Sequence, residues 1–76
     1  MNDVTVESLK IGISLKLLRK QKRITLDSAA KHCGKTSSWL SEIEHGRSEI
    51  LFRDAQKLCR LYGCEVSDLE KMIKKL

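Results

Sequence analysis

The chain has 76 residues, enough for one compact domain with a modest core, and 15 Lys and Arg against 10 Asp and Glu give it a net charge of +5. No apolar run approaches the roughly 18 residues that a membrane span requires, and the N-terminus lacks the regions of a signal peptide, so we expect a cytoplasmic protein with no membrane partner. The basic balance favours an anionic partner, nucleic acid before an acidic membrane surface.

The first predicted helix covers about residues 5 or 8 to 22. The sequence has no proline, no repeat and no low-complexity linker, and charges recur every few residues, which is typical of helices joined by short turns. Along this first segment Ile11, Leu15 and Leu18 form one apolar stripe, as expected for a helix that packs on a core.

The second predicted helix begins at Thr25, a good N-cap, and carries Asp27 in its first turn, where the helix dipole favours an anion. It ends at Gly34, because glycine alone adopts the left-handed conformation past a helix end without a Cβ penalty. The residues that it turns inward are Ala29, Ala30 and Cys33.

Three further helices complete the prediction. Helix 3 begins after the cap Thr36 and ends near His45, with Gly46 as the stop. Helix 4 is predicted over about residues 51–62 and stops at Gly63, and helix 5 over about residues 66–75, with lysines in its last turns. We therefore expect one all-α domain over residues 1–76.

Helix 3 has an apolar and a polar side. Leu40 and Ile43 point one way, and the opposite side holds short or acidic residues and no Lys or Arg: Ser38, Ser41, Glu42 and His45. A merely solvated face in so charged a protein would more typically carry long side chains with high helix propensity. The short side chains therefore favour close approach of another molecule.

The run "ITLDSAAKHCGKTSSWLSEIEHGR" resembles the helix-turn-helix of the phage Cro and repressor family, also called the xenobiotic response element (XRE) type. The likeness extends without gaps over residues 11–69, and further elements of it are "LLRKQKRIT" and "LYGCEVSDL". It implies a compact five-helix, lambda-repressor-like domain with a central helix-turn-helix. It also implies a sequence-specific transcriptional regulator, a repressor, whose partner is double-stranded DNA.

The resemblance places helix 3 in the major groove, which is wide enough to admit a helix. It assigns Ser37, Ser38 and Glu42 to base contacts. Serine discriminates weakly because it can donate or accept, whereas an ionised glutamate only accepts, which favours a cytosine amino group and opposes phosphates. The alternative for Glu42 is a surface glutamate that is solvated or paired at i, i+4.

Phosphate contacts are expected around helix 3, where they set affinity and register without sequence information. Backbone amides at the start of helix 2 are available for the same purpose. The alternative is that these side chains are merely solvated. The expected residues are Thr25, Lys35, Arg47, Ser48 and Arg53.

The match departs from the family pattern in three places. Leu26 replaces a usual glutamine that contacts DNA, and Ile50 replaces a common proline. Ala29 replaces a larger leucine, which thins the core unless Trp39 or Phe52 fills the space. We expect Trp39 to pack against helix 2 rather than to contact DNA, because a tryptophan mostly contributes buried area.

Arg19 and Glu44 match an ion pair that, in the family, ties helix 1 to helix 3. Such a pair contributes little net stability when it is buried, but removal of one partner leaves a costly unpaired charge. We expect the pair to orient helix 3.

A second apolar stripe on helix 1 is not explained by the resemblance. It contains Val6, Leu9, Ile13 and Leu17, and a lone surface helix should not be apolar on both sides. Helix 5 and the chain termini could cover it. The alternative that we favour is a homodimer that uses Leu9, Ile13 and Leu17, since operators of this family are usually two-fold with half-sites about 34 Å apart. Residues that could join this surface are Met72, Ile73 and Leu76.

The three cysteines form neither an even disulfide set nor a CxxC pair, and His32 beside Cys33 matches no zinc spacing. We expect buried thiols, no metal and no cofactor. A redox or metal sensor built on Cys59 and Cys64 remains an alternative, and it predicts that alkylation changes binding.

No enzyme is expected, because the sequence has no phosphate-binding glycine loop and no plausible grouping of nucleophile and base. We also expect no small-molecule effector, because we predict a single domain with no second one to hold it. The alternative function is a protein-interaction module, antitoxin-like or an adaptor, that is built on the same fold.

Overall fold

The computed structural model describes residues 5–76, and five helices make up this part of the chain. It confirms the predicted all-α fold, with helix bounds close to those expected; α4 begins one residue later, at Phe52. The helices are α1 (Val6–Gln21), α2 (Leu26–His32), α3 (Ser37–Glu44), α4 (Phe52–Tyr62) and α5 (Val66–Lys75).

Threonines begin the first three helices. The hydroxyl of Thr5 accepts the amide of Ser8 at 2.9 Å, and Thr25 and Thr36 accept amides in the same way at 3.1 and 3.2 Å. Each bond satisfies one of the amide donors that a helix N-terminus leaves free, so local chemistry sets where α1, α2 and α3 start.

The turn between α2 and α3 is set by Gly34, whose φ is +70°. Its left-handed conformation reverses the chain, so that the amide of Lys35 donates to the carbonyl oxygen of Ala30 at 2.9 Å. This bond closes the end of α2, and α3 begins a few residues later and packs against α2, which is the arrangement of a helix-turn-helix.

The core lies among all five helices. Trp39 is half-buried and packs against it, whereas Phe52 is 64% exposed, so the space beside the small Ala29 is not filled by Phe52. Side chains of the core that are buried are Leu15, Ala29, Ala30, Cys33, Leu40, Ile43, Leu58, Cys59, Tyr62 and Leu69.

A glycine in the middle of α1 sets the distance between α1 and α3. A Cβ atom on Gly12 would overlap the carbonyl oxygen of Ile43 and would lie 2.7 Å from that of Glu44, so no larger residue fits without a shift of α3. Sequence reasoning missed this residue. The signal was present, because a glycine inside a helical run costs about 1 kcal/mol relative to alanine and usually has a packing reason.

Two of the three cysteines, Cys33 and Cys59, are buried, and Cys64 is half-buried. The pKa of the Cys59 thiol is raised to about 12, chiefly by burial and in part by the neighbouring Cys64 thiol. Within residues 5–76, no helix is long and apolar enough to cross a membrane.

Candidate nucleic-acid interface

The two sides of α3 have opposite environments. Leu40, Ile43 and Glu44 are buried against the rest of the domain. Of the residues expected to contact bases, Ser38 and Glu42 are exposed and Ser37 is half-buried. The outer side of α3 is therefore accessible to another molecule, and the side chains along it are short enough for the helix backbone to come close.

Arg19 and Glu44 form a bidentate ion pair behind α3. The Arg19 Nε lies 2.8 Å from Glu44 Oε2 and Nη2 lies 3.1 Å from Oε1, while Nη1 donates to the carbonyl oxygen of Ile24 at 2.8 Å. Both side chains are about nine-tenths or more buried, and the hydrogen bond to Glu44 raises the pKa of Arg19. The guanidinium thus connects the end of α1, the turn after it and the last turn of α3.

Tyr62 lies in the core near this pair, and its buried hydroxyl has no hydrogen-bond partner among the described residues. Burial raises the pKa of this hydroxyl, and the negative charge of Glu44 acts in the same direction. The tyrosine is therefore neutral, and Arg19 is the cation that faces the Glu44 carboxylate.

Glu42 and Arg47 contact each other on the outer side. Arg47 Nη1 lies 3.6 Å from Glu42 Oε2, and the Arg47 amide donates to the Glu42 carbonyl oxygen at 2.9 Å. The side chain of Arg47 is 57% exposed and that of Glu42 is 47% exposed, so the ion pair is weak. This contact was not predicted, because the pairing considered for Glu42 was with a residue four positions away, whereas Arg47 is five positions away.

Lys35 lies at the other end of α3. Its Nζ is 5.9 Å from the centre of the Trp39 ring, at cation–π distance, next to the first turn of the helix. Lys35 and Arg47 therefore place one cation near each end of the outer side.

The other predicted phosphate contacts stand on neighbouring segments. Thr25 is exposed at the start of α2, where its hydroxyl is already used by the Ser28 amide. Ser48 is exposed in the loop between α3 and α4, and Arg53 is exposed in the first turn of α4.

The second apolar stripe on α1 is exposed. Among the described residues, Val6 is 68%, Leu9 38%, Ile13 43% and Leu17 47% exposed, although α5 packs against α1. Leu9 lies beside Gly46, where an added Cβ would come within 2.9 Å of the Leu9 Cα. The stripe therefore adjoins the C-terminal end of α3.

Within residues 5–76, no three side chains of His, Cys, Asp or Glu lie together as a group that could hold a metal ion. The described part of the chain therefore contains no zinc site of the structural kind, which takes four ligands.

Comparison with known proteins agrees with this geometry. A family model described as a helix-turn-helix domain matches residues 10–72. Two solved structures of the clp gene regulator ClgR from Corynebacterium glutamicum are similar to the chain. One is 25% identical to the chain, with a TM-score of 0.89, and the match covers 96% of this chain and 78% of the ClgR chain. The other is 26% identical, with a TM-score of 0.85, and the match covers 91% of this chain and 90% of the ClgR chain. No curated protein matches the sequence significantly.

Proposed function

The chain belongs to the helix-turn-helix domain family, in its Cro and XRE-type group. We propose that it is a transcriptional regulator that binds double-stranded DNA in a sequence-specific way. In this proposal α3 enters the major groove, and the protein acts as a repressor and as a homodimer. The observation that carries it is the accessible outer side of α3, with short polar residues along it and a cation near each end.

Base contacts are assigned to Ser37, Ser38 and Glu42. The two serines stand in the first turn of α3, the end that enters the groove most deeply in helix-turn-helix proteins. Glu42 follows one turn later and accepts hydrogen bonds only, so a cytosine amino group is its best partner. Before it can do this, Glu42 must exchange its contact with Arg47.

Phosphate contacts are assigned to Arg47, Ser48 and Lys35 at the ends of α3, with Thr25 and Arg53 at the starts of α2 and α4. Each cation that neutralises a phosphate adds about one unit to the slope of log K against log salt. These contacts hold the domain on the duplex and do not choose the sequence.

Orientation is assigned to Arg19 and Glu44. The bidentate geometry and burial of the pair favour one direction of the last turn of α3 relative to α1. A groove tolerates little error in the angle of a helix, so this pair supports DNA binding without a DNA contact of its own.

The dimer surface is assigned to Leu9, Ile13 and Leu17 on α1, because exposed aliphatic side chains along three turns of one helix are unusual in a monomer. The domain measures 28 × 26 × 20 Å, so two copies side by side are compatible with half-sites about 34 Å apart. A dimer on such a site would exclude other proteins from it, which is the simplest form of repression.

The function is tested by selection of bound duplexes from a random pool. We expect a two-fold motif with half-sites separated by one helical turn, and Ser38→Ala should weaken the preference within each half-site. Ser67→Ala, an exposed serine on α5, is the matched control and should select the wild-type motif.

A titration of random duplex at two salt concentrations distinguishes DNA binding from a protein-interaction function. DNA affinity should fall steeply as salt rises. No enrichment of a motif together with no salt-dependent binding would contradict the proposal and favour the antitoxin-like or adaptor function.

The dimer is tested by sedimentation of Ile13→Glu with Leu17→Glu. Two carboxylates in the interface should give a folded monomer whose melting temperature no longer depends on protein concentration. Ser28→Glu with Ser67→Glu adds the same charge at exposed positions of α2 and α5 and should stay dimeric. A dimer that survives the α1 substitutions would remove this surface from the proposal.

A further inference from the structure

We propose that Cys59 and Cys64 form a two-coordinate binding site for a soft monovalent metal ion of the Cu(I) and Ag(I) class. The site lies where α4 ends and α5 begins, at the opposite end of α4 from the proposed phosphate contact Arg53. It does not depend on the proposed DNA function.

The helix end after α4 brings the two cysteines together. Gly63 has a φ of +76° and reverses the chain, so the amide of Cys64 donates to the carbonyl oxygen of Cys59 at 2.8 Å. Cys59 and Cys64 both line the cavity at this helix end. Four residues separate the two cysteines in the sequence, and the left-handed glycine is what makes them neighbours.

Both cysteines line a cavity of about 330 Å³ between α4 and α5. Cys59 is almost completely buried from bulk solvent, and Cys64 is half-buried. Arg60 and Glu65 also line the cavity. The two thiols are the soft donors that this cavity offers to an ion. The low exposure of Cys59 limits the competition of water for the bound ion.

The number of donors selects the class of ion. Glu65 and Asp68 form a capping box at the start of α5, in which Asp68 Oδ2 accepts the Glu65 amide at 2.9 Å and the Glu65 carboxylate accepts the Asp68 amide. Each carboxylate thus already accepts a backbone amide, and residues 5–76 contain no group of three possible ligands. Zn²⁺ requires four ligands, whereas a soft monovalent ion is satisfied by two thiolates.

Binding exchanges the two thiol protons for one metal ion. One M⁺ and two neutral thiols give a bis-thiolate complex of charge −1 and release two protons, with no change of oxidation state. Arg60 lines the same cavity, and its positive charge would offset the negative charge of the complex. The ion would then connect the last turn of α4 to the segment that leads into α5.

The test uses the full chain, reduced, with Ag(I) as the probe and an excess of a monothiol as competitor. Native mass spectrometry and the near-ultraviolet thiolate-to-metal band should report one ion per chain. Once one thiol has bound the ion, the second binds it within the same molecule, which raises the overall affinity. Cys59→Ser and Cys64→Ser should therefore each weaken retention of the ion by about 100-fold.

Cys33→Ser is the matched control, because Cys33 is a buried thiol outside the cavity, and this variant should retain the ion. Cys64 is half-buried, so Cys64→Ser keeps the test valid if Cys59→Ser does not fold. Retention of the ion by Cys64→Ser, loss of it by Cys33→Ser, or no ion on the wild-type chain would each overturn the proposal. None of these results bears on DNA binding.

Discussion

The inner and outer sides of α3, a helix of eight residues, differ in their contacts. The inner side is held by core packing, by the close approach at Gly12 and by the Arg19–Glu44 pair. The outer side carries short polar residues and an exposed, weak Glu42–Arg47 pair. In the proposed function, orientation and recognition therefore depend on different residues of the same helix, and substitutions should affect them separately.

The largest effect should come from Glu44→Ala. It leaves the Arg19 guanidinium buried without its carboxylate, which costs about 3–5 kcal/mol and should lower the melting temperature and the DNA affinity together. Thermal unfolding and a duplex titration measure the two effects. Glu42→Ala, two residues earlier on the outer side, should change the free energy of unfolding by less than about 0.5 kcal/mol. Equal stability of both variants would contradict the claim that only the inner side of α3 is held by a buried ion pair.

The second effect tests the α1–α3 distance through Gly12→Ala. The new methyl group meets backbone carbonyl oxygens of α3, so we expect a loss of about 2–3 kcal/mol in chemical denaturation. Gly34→Ala is the matched control, since that Cβ has open space and carries only the left-handed penalty of about 1–2 kcal/mol. A Gly34→Ala variant less stable than Gly12→Ala would show that the close approach does not limit the packing.

The third effect is a change in base-pair discrimination that leaves the free energy of unfolding unchanged. Glu42→Gln keeps the size of the side chain but removes its charge and its ion pair with Arg47. Discrimination at one base pair should fall by about 1–3 kcal/mol, while binding to random duplex rises because a negative charge near phosphates is gone. Glu70→Gln, exposed on α5, is the control. Identical binding by the two variants would exclude Glu42 from the reading surface.

The smallest effect should be that of Arg47→Ala on salt dependence. The slope of log K against log salt should decrease by about one unit, with the selected motif unchanged, because a phosphate contact carries no sequence information. Lys71→Ala on α5 removes the same charge away from α3 and should leave the slope unchanged. A changed motif would instead identify Arg47 as a base-contacting residue.

Much of the fold could be predicted because its signals are local. The threonine caps and the glycine stops satisfy backbone groups within a few residues, so they mark helix ends without reference to the rest of the chain. The predicted DNA-facing residues depended on the polar side of α3 and on the family resemblance, and their roles remain predictions.

Contacts between distant segments could not be predicted in the same way. Gly12 is an ordinary helix glycine until α3 is placed against it, and the Arg47 side chain reaches Glu42 only because the left-handed Gly46 turns the chain back. The exposure of Leu9, Ile13 and Leu17 likewise depends on where α5 packs.

The amino-acid sequence by itself determined the five helices, their ends and which side of each is apolar, since these follow from hydrogen bonds and periodicity within a few residues. The tertiary structure alone decided which apolar side is covered, how close α1 comes to α3, and that Cys59 and Cys64 share one cavity. The physical reason is that periodicity defines the face of a helix, whereas packing against the other helices decides what that face meets.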